Sequence, residues 1–118
     1  MKSVEDLDVF KLTHELALRI YKITAEFSRE ESFGIVSQMR RAASSVGANL
    51  VEGSMRFNSG EFRQFVGIAR GSAGEVGYLL LLARDLGYIS KPVYEELRSG
   101  YERVGQMLTR LGQSLDRE

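Results

Sequence analysis

Through most of this chain apolar side chains recur every three or four positions, the period of a helix that buries one face. Val9, Leu12, Leu16, Ile20, Tyr21, Thr24 and Phe27 predict a first helix from about residue 8 to about 27. The stretch FSREESFG then breaks the period. Ser28 with Glu31 has the spacing of a capping box, and Ser32 is an alternative start for the second helix. Ile35, Met39, Ala42, Ala43, Val46 and Leu50 put a stripe on that helix, about 34 to 53, with Gly53 suited to leaving it. Ser59 and Phe62 mark the entry to a third helix of about 60 to 86, whose Phe62, Phe65, Ala69, Val76, Leu80 and Ala83 share one side. Ser90 is placed to cap a fourth helix of about 91 to 115, with Pro92 where a missing N–H does no harm. Its stripe is Val93, Leu97, Tyr101, Val104, Leu108, Leu111 and Leu115. No segment alternates with the two-residue period of a strand.

Four such helices with short connections predict an all-α fold, an antiparallel up-down-up-down four-helix bundle, as one domain over residues 1–118. Residues 1–6 precede the first stripe and are expected to be loose.

The third helix has a second face that one bundle core does not explain. Gly67, Gly71, Gly74, Tyr78 and Leu82 lie opposite the phenylalanine side. Glycine inside a helix costs about 1 kcal/mol relative to alanine, so these glycines, with Gly77, are a propensity penalty that close approach of another backbone would offset. An exposed patch around Tyr78 and Leu82 would likewise be relieved by burial against another subunit. This face is therefore the expected oligomer interface.

On the second helix Gln38, Arg41, Ser45, Asn49 and Glu52 follow the apolar stripe at helical spacing. A hairpin centred near residue 57 brings Arg41 level with Ser72 and Glu75, so an Arg41 to Glu75 ion pair is expected, with Gln38 and Ser72 nearby. The expected role of this row is a structural polar network that fixes the register of helices two and three.

Composition removes most chemistries. Sixteen basic and sixteen acidic residues cancel, leaving no overall field to draw the chain to nucleic acid or an anionic membrane. Residues 40 to 84 nevertheless hold six arginines against three glutamates, and Arg40, Arg56, Arg63 and Arg70 are the candidates for phosphate contacts should an assembly repeat them on one rim. There is no cysteine and His14 is the only histidine, so neither a metal site nor any other cofactor is expected. Ser44, Ser45 and Ser72 have no His/Asp relay, and GSAGEVG lacks the Lys-Ser/Thr pair and preceding strand of a phosphate loop. The chain is not expected to be an enzyme. The N-terminus lacks a secretory h-region and the longest strictly apolar run is Tyr78 to Ala83, so a cytoplasmic protein outside the membrane is expected.

Two segments, FGIVSQMRRAASSVGANLVEGSMR at 33 to 56 and FRQFVGIARGSAGEVGYLLLLARDLGY at 62 to 88, resemble a known family. It is the four-helix-bundle family that includes proteins encoded by intervening sequences in bacterial 23S ribosomal RNA genes, also called S23 ribosomal proteins. The order and spacing of QxRRAA, NLVEG and FxxFxxIARGSxxE carry the likeness. Family members often have Ile-Ala where this chain has Leu50 and Val51, and a proline where it has Ser28. The resemblance implies a four-helix bundle commonly assembled as a homopentameric ring, with no established catalytic residues. A related branch, the accessory variability proteins of diversity-generating retroelements, looks like this fold and associates with reverse transcriptase and nucleic acid. The expected function is a non-catalytic homo-oligomeric scaffold; the alternative is an RNA-associated accessory protein using arginines on the assembled oligomer.

Overall fold

The computed structural model describes residues 3–117. It contains four long helices, α1 (Asp8–Thr24), α2 (Ile35–Ser54), α3 (Ser59–Asp85) and α4 (Lys91–Leu115), and among the described residues no strand. Successive helices run antiparallel and pack in cyclic order, α1 on α2, α2 on α3, α3 on α4 and α4 back on α1, in a molecule 46 × 24 × 20 Å. The flank between α1 and α2 is therefore opposite the flank between α3 and α4.

The core follows the stripes. Ile20, Met39, Val46, Leu50, Val76, Leu80, Val104 and Leu108 are wholly buried. Each such side chain contributes roughly 1.5–3 kcal/mol relative to exposure, far more than any surface ion pair. On α3 the inward side is Phe62, Val66, Ala69, Ala73, Val76, Leu80 and Ala83, small residues at its middle letting α2 and α4 come close. Phe65, expected in this stripe, is only half-buried and lies under the Arg56 guanidinium, 4.6 Å from the ring centre.

Local chemistry sets the ends. The Thr24 hydroxyl donates to the Ile20 carbonyl at 2.7 Å, and α1 stops there, three residues before the expected end. Phe27 turns instead onto Tyr88, with ring centres 5.1 Å apart, and the Tyr88 hydroxyl donates to Glu31 Oε1 at 3.0 Å. That hydrogen bond holds the Tyr88 ionisation above its usual value, with burial adding to it. Ser28 accepts from the Glu30 N–H and caps a short 3-10 turn, Arg29–Glu31, rather than opening α2, which begins after Gly34. Asn58, one residue before the expected entry, caps α3 by accepting from Glu61 N–H at 2.9 Å. Ser90 caps α4. Gly87, at φ +82°, ends α3: the Tyr88 N–H reaches back to the Ala83 carbonyl and the Gly87 N–H to Arg84. Only glycine adopts that left-handed conformation without strain.

The N-terminal stretch corrects an expectation. Ser3 caps a 3-10 turn at Val4–Asp6, and Val4 is buried against the core; residues 1 and 2 lie outside the described part.

Candidate functional site

The polar row on α2 divides in two. Ser45 Oγ lies 3.0 Å from Ser72 Oγ on α3, and the Asn49 amide donates to the Ser45 carbonyl at 2.8 Å and to Ser45 Oγ at 2.9 Å. These three half-buried residues form a polar tie between α2 and α3. Gln38, Arg41 and Glu75 are exposed, and among the described residues Arg41 and Glu75 form no ion pair. Glu52 is turned along its own helix to Arg56 at 3.0 Å. The serine pair has no histidine beside it, since His14 stacks on Phe10 at the far flank. Among the described residues no three His, Cys, Asp or Glu side chains are grouped as metal ligands.

The arginines are mostly occupied. Arg40 lies over the Tyr21 ring and donates to Thr24 Oγ1 at 2.9 Å; Arg56 is held by Glu52 and Phe65; Arg63 pairs with Asp116 at 2.6 Å. Of the four, Arg70 alone has no carboxylate within ion-pair distance and no aromatic face beneath it among the described residues.

The glycines separate by what a side chain would meet. At Gly53 a Cβ would stand 2.6 Å from Phe65 Cβ and 2.9 Å from Phe62 Cδ1, so the α2–α3 crossing needs glycine. At Gly100 it would meet Leu16 at 2.7 Å, and at Gly77 it would meet the Arg98 side chain at 3.2 Å. Arg98 lies across α3 there, donating to the Gly77 carbonyl and to the Tyr94 hydroxyl, both at 3.0 Å. Gly67, Gly71 and Gly74 are different: all three are exposed, and an added Cβ would meet nothing within 4 Å. Tyr78 beside them is 59% exposed. Leu82, expected on the same face, is half-buried and packs partly against its own core.

The three glycines line a groove of about 640 Å³ whose other wall is α4, with Glu102, Gly105, Gln106 and Thr109. Tyr101, 3% exposed, also lines it, and its hydroxyl has no hydrogen-bond partner among the described residues. A buried hydroxyl left unpaired costs on the order of 1–3 kcal/mol. Burial also pushes the Tyr101 ionisation well above the usual value of 10.0. Because the folded state keeps this proton longer than the unfolded one, the group's contribution is intact below about pH 10 and is lost as pH rises beyond it. The urea midpoint is therefore expected to fall between neutral pH and about pH 11, and Tyr101→Phe to remove Tyr101's share of that fall.

A second surface escaped the reading of the sequence. Between α1 and α2 runs an apolar furrow of about 310 Å³ lined by Phe10, His14, Leu18, Tyr21 and Val51, with Thr13 and Ala43 buried beneath them. Tyr21, expected in the core stripe, stands at its edge, 44% exposed. The signal was present as a second stripe on α1, Phe10, His14, Leu18 and Tyr21, offset from the buried one. Thr13, 1% exposed, lines this furrow and is, among the described residues, the other buried side chain whose hydroxyl has no partner. By length and composition α3 could cross a membrane, with mean hydropathy 1.3 over its most apolar window; in the fold it packs on α2 and α4 as one of the four bundle helices.

Known proteins place this geometry in a family. A crystal structure of a protein of unknown function from the S23 ribosomal protein family of Bacteroides thetaiotaomicron is similar to it, with TM-score 0.78 and 26% sequence identity, covering 87% of this chain and 96% of that one. No curated protein matches the chain. The family model for 23S rRNA-intervening sequence proteins matches residues 5–110, nearly the whole four-helix unit, and the chain belongs to that family.

Proposed function

We propose that this protein is a non-catalytic, homo-oligomeric scaffold of the cytoplasm, whose copies associate through the outward side of α3 and present repeated helix surfaces to a partner. The observation that carries this reading is the contrast among the glycines: Gly53, Gly77 and Gly100 each make room for a neighbour within the chain, whereas Gly67, Gly71 and Gly74 make room for nothing among the described residues. Three helix-weakening residues on one face, beside an exposed tyrosine, fit the close approach of another protein's backbone. The ring of five implied by the resemblance is the assembly expected.

An RNA-associated role has less support in the geometry, because Arg40, Arg56 and Arg63 are already engaged by aromatic, hydroxyl or carboxylate groups and, of the four, only Arg70 has no such partner among the described residues. Tyr78→Glu is expected to reduce the mass measured by light scattering toward the 13.3 kDa of one chain, with helical circular dichroism unchanged. Ribonuclease treatment of the unmodified protein is expected to leave its mass as it was. An unaltered mass in the variant would refute the α3 interface, and a mass that falls on ribonuclease treatment would favour RNA bridging.

A further inference from the structure

We infer that α1 is a flap: it swings off the α2–α3–α4 body as a unit, about the exposed pair Ala25 and Glu26, while the body stays folded. Such a device belongs to the single chain and is independent of how copies associate.

The helices are unevenly buried. Five side chains of α1 are buried, and two of them, Thr13 and Thr24, are the buried polar residues of the described chain, so its apolar anchors are Val9, Leu16 and Ile20. Eight residues of α2 and nine of α3 are buried, with no hydroxyl or charge among them. While α1 is docked the Thr13 hydroxyl has no partner among the described residues; once α1 is released, water supplies one, so docking is opposed by a desolvated group. The seam with α2 also stays open as the furrow, and docking leaves Leu18 and Tyr21 exposed.

Few contacts hold α1 down. Leu16 sits where Gly100 has no side chain, its Cδ2 atom 2.7 Å from where a Cβ would be, and Phe10 and Thr13 lie over Gly47 at 3.7 Å on the same measure. Arg19 pairs with Glu96 at 2.6 Å, but both are exposed and such a pair adds little. Arg40 of α2 donates to Thr24 Oγ1 at 2.9 Å and to the Tyr21 carbonyl at 3.1 Å, tying the C-terminal end of α1 near the pivot. Beyond the pivot the chain belongs to the body, because Phe27 packs on Tyr88 and the Tyr88 hydroxyl is bonded to Glu31. Opening uncovers Gly47, Gly100 and the trough between α2 and α4 in which one amphipathic helix now lies.

Hydrogen exchange on the full chain, read by mass spectrometry where reclosing outpaces exchange, tests the flap. After correction for intrinsic rates, the amides of residues 12–20 are expected to exchange together, roughly tenfold or more faster than those of residues 66–80 in α3. Gly53→Ala, which strains the α2–α3 crossing, is expected to speed the α3 amides and leave those of α1 as they were, because opening α1 does not break that crossing. Thr13→Val, which keeps the shape and deletes the unpaired hydroxyl, is expected to slow α1 exchange by roughly fivefold or more. Should Gly53→Ala not fold, the rate ratio in the unmodified chain and the Thr13→Val result still decide. Equal rates in α1 and α3, acceleration of α1 by Gly53→Ala as large as that of α3, or α1 exchange unmoved in Thr13→Val would each overturn the flap.

Discussion

Gly53→Ala is expected to destabilise the chain by about 1–3 kcal/mol, the range for forcing an extra methyl into a packed contact. Alanine is the better helix former, so propensity alone would raise stability by about 1 kcal/mol. Sterics decide the sign. The new methyl would stand 2.6 Å from Phe65 Cβ and 3.3 Å from the Phe62 carbonyl oxygen, atoms at or next to the α3 backbone that cannot swing aside as the tip of a long side chain can. Helices α2 and α3 must separate instead. Phe62, buried at 7% exposure, packs at that approach, and a loss of this size is a large part of a domain's net stability. The urea midpoint at constant m-value is the readout, and a midpoint at or above that of the unmodified chain would show that the crossing is looser than described.

Replacing Gly67, Gly71 and Gly74 together with alanine is expected to act in the opposite direction on the single chain. With nothing for the three methyls to meet, each substitution should gain up to about 1 kcal/mol of helix propensity. In a Tyr78→Glu background, where association is already impaired, this gain should raise the thermal midpoint by several degrees. If copies associate through this face as proposed, the same three methyls would stand between them in the unmodified background, and association should weaken by roughly tenfold or more, equivalent to about 1.4 kcal/mol. A chain stabilised alone and loosened in assembly would identify these glycines as residues kept for a neighbour. Stabilisation without loss of association would mark them as merely tolerated.

Features that depend on a few adjacent residues were legible in the sequence. The α4 stripe ends at Leu115 as expected, and Ser90 caps α4 because the signal and its effect lie three residues apart. The end of α1 was not legible, because it depends on the Thr24 hydroxyl turning to its own helix and on Phe27 finding Tyr88, sixty-one positions further along. In the polar row, height along the helices was readable and azimuth was not. The hairpin reckoning that makes Arg41 level with Glu75 serves equally for Ser45 and Ser72, yet only the serines face each other across the seam. The arginine tally failed for a similar reason: the carboxylate that holds Arg63 is Asp116, at the other end of the chain. Glycine content was plain, but which glycines have a neighbour is a property of the packed helices. Gly53 and Gly71 are the same residue type and opposite in contact.

The central claim is that the outward side of α3 is built for a second copy, and the most direct measurement is the mass of the unmodified protein in solution. Multi-angle light scattering across micromolar concentrations is expected to give a multiple of 13.3 kDa, unchanged by ribonuclease. A mass of 13.3 kDa throughout, with Gly71 and Tyr78 facing only water, would contradict it.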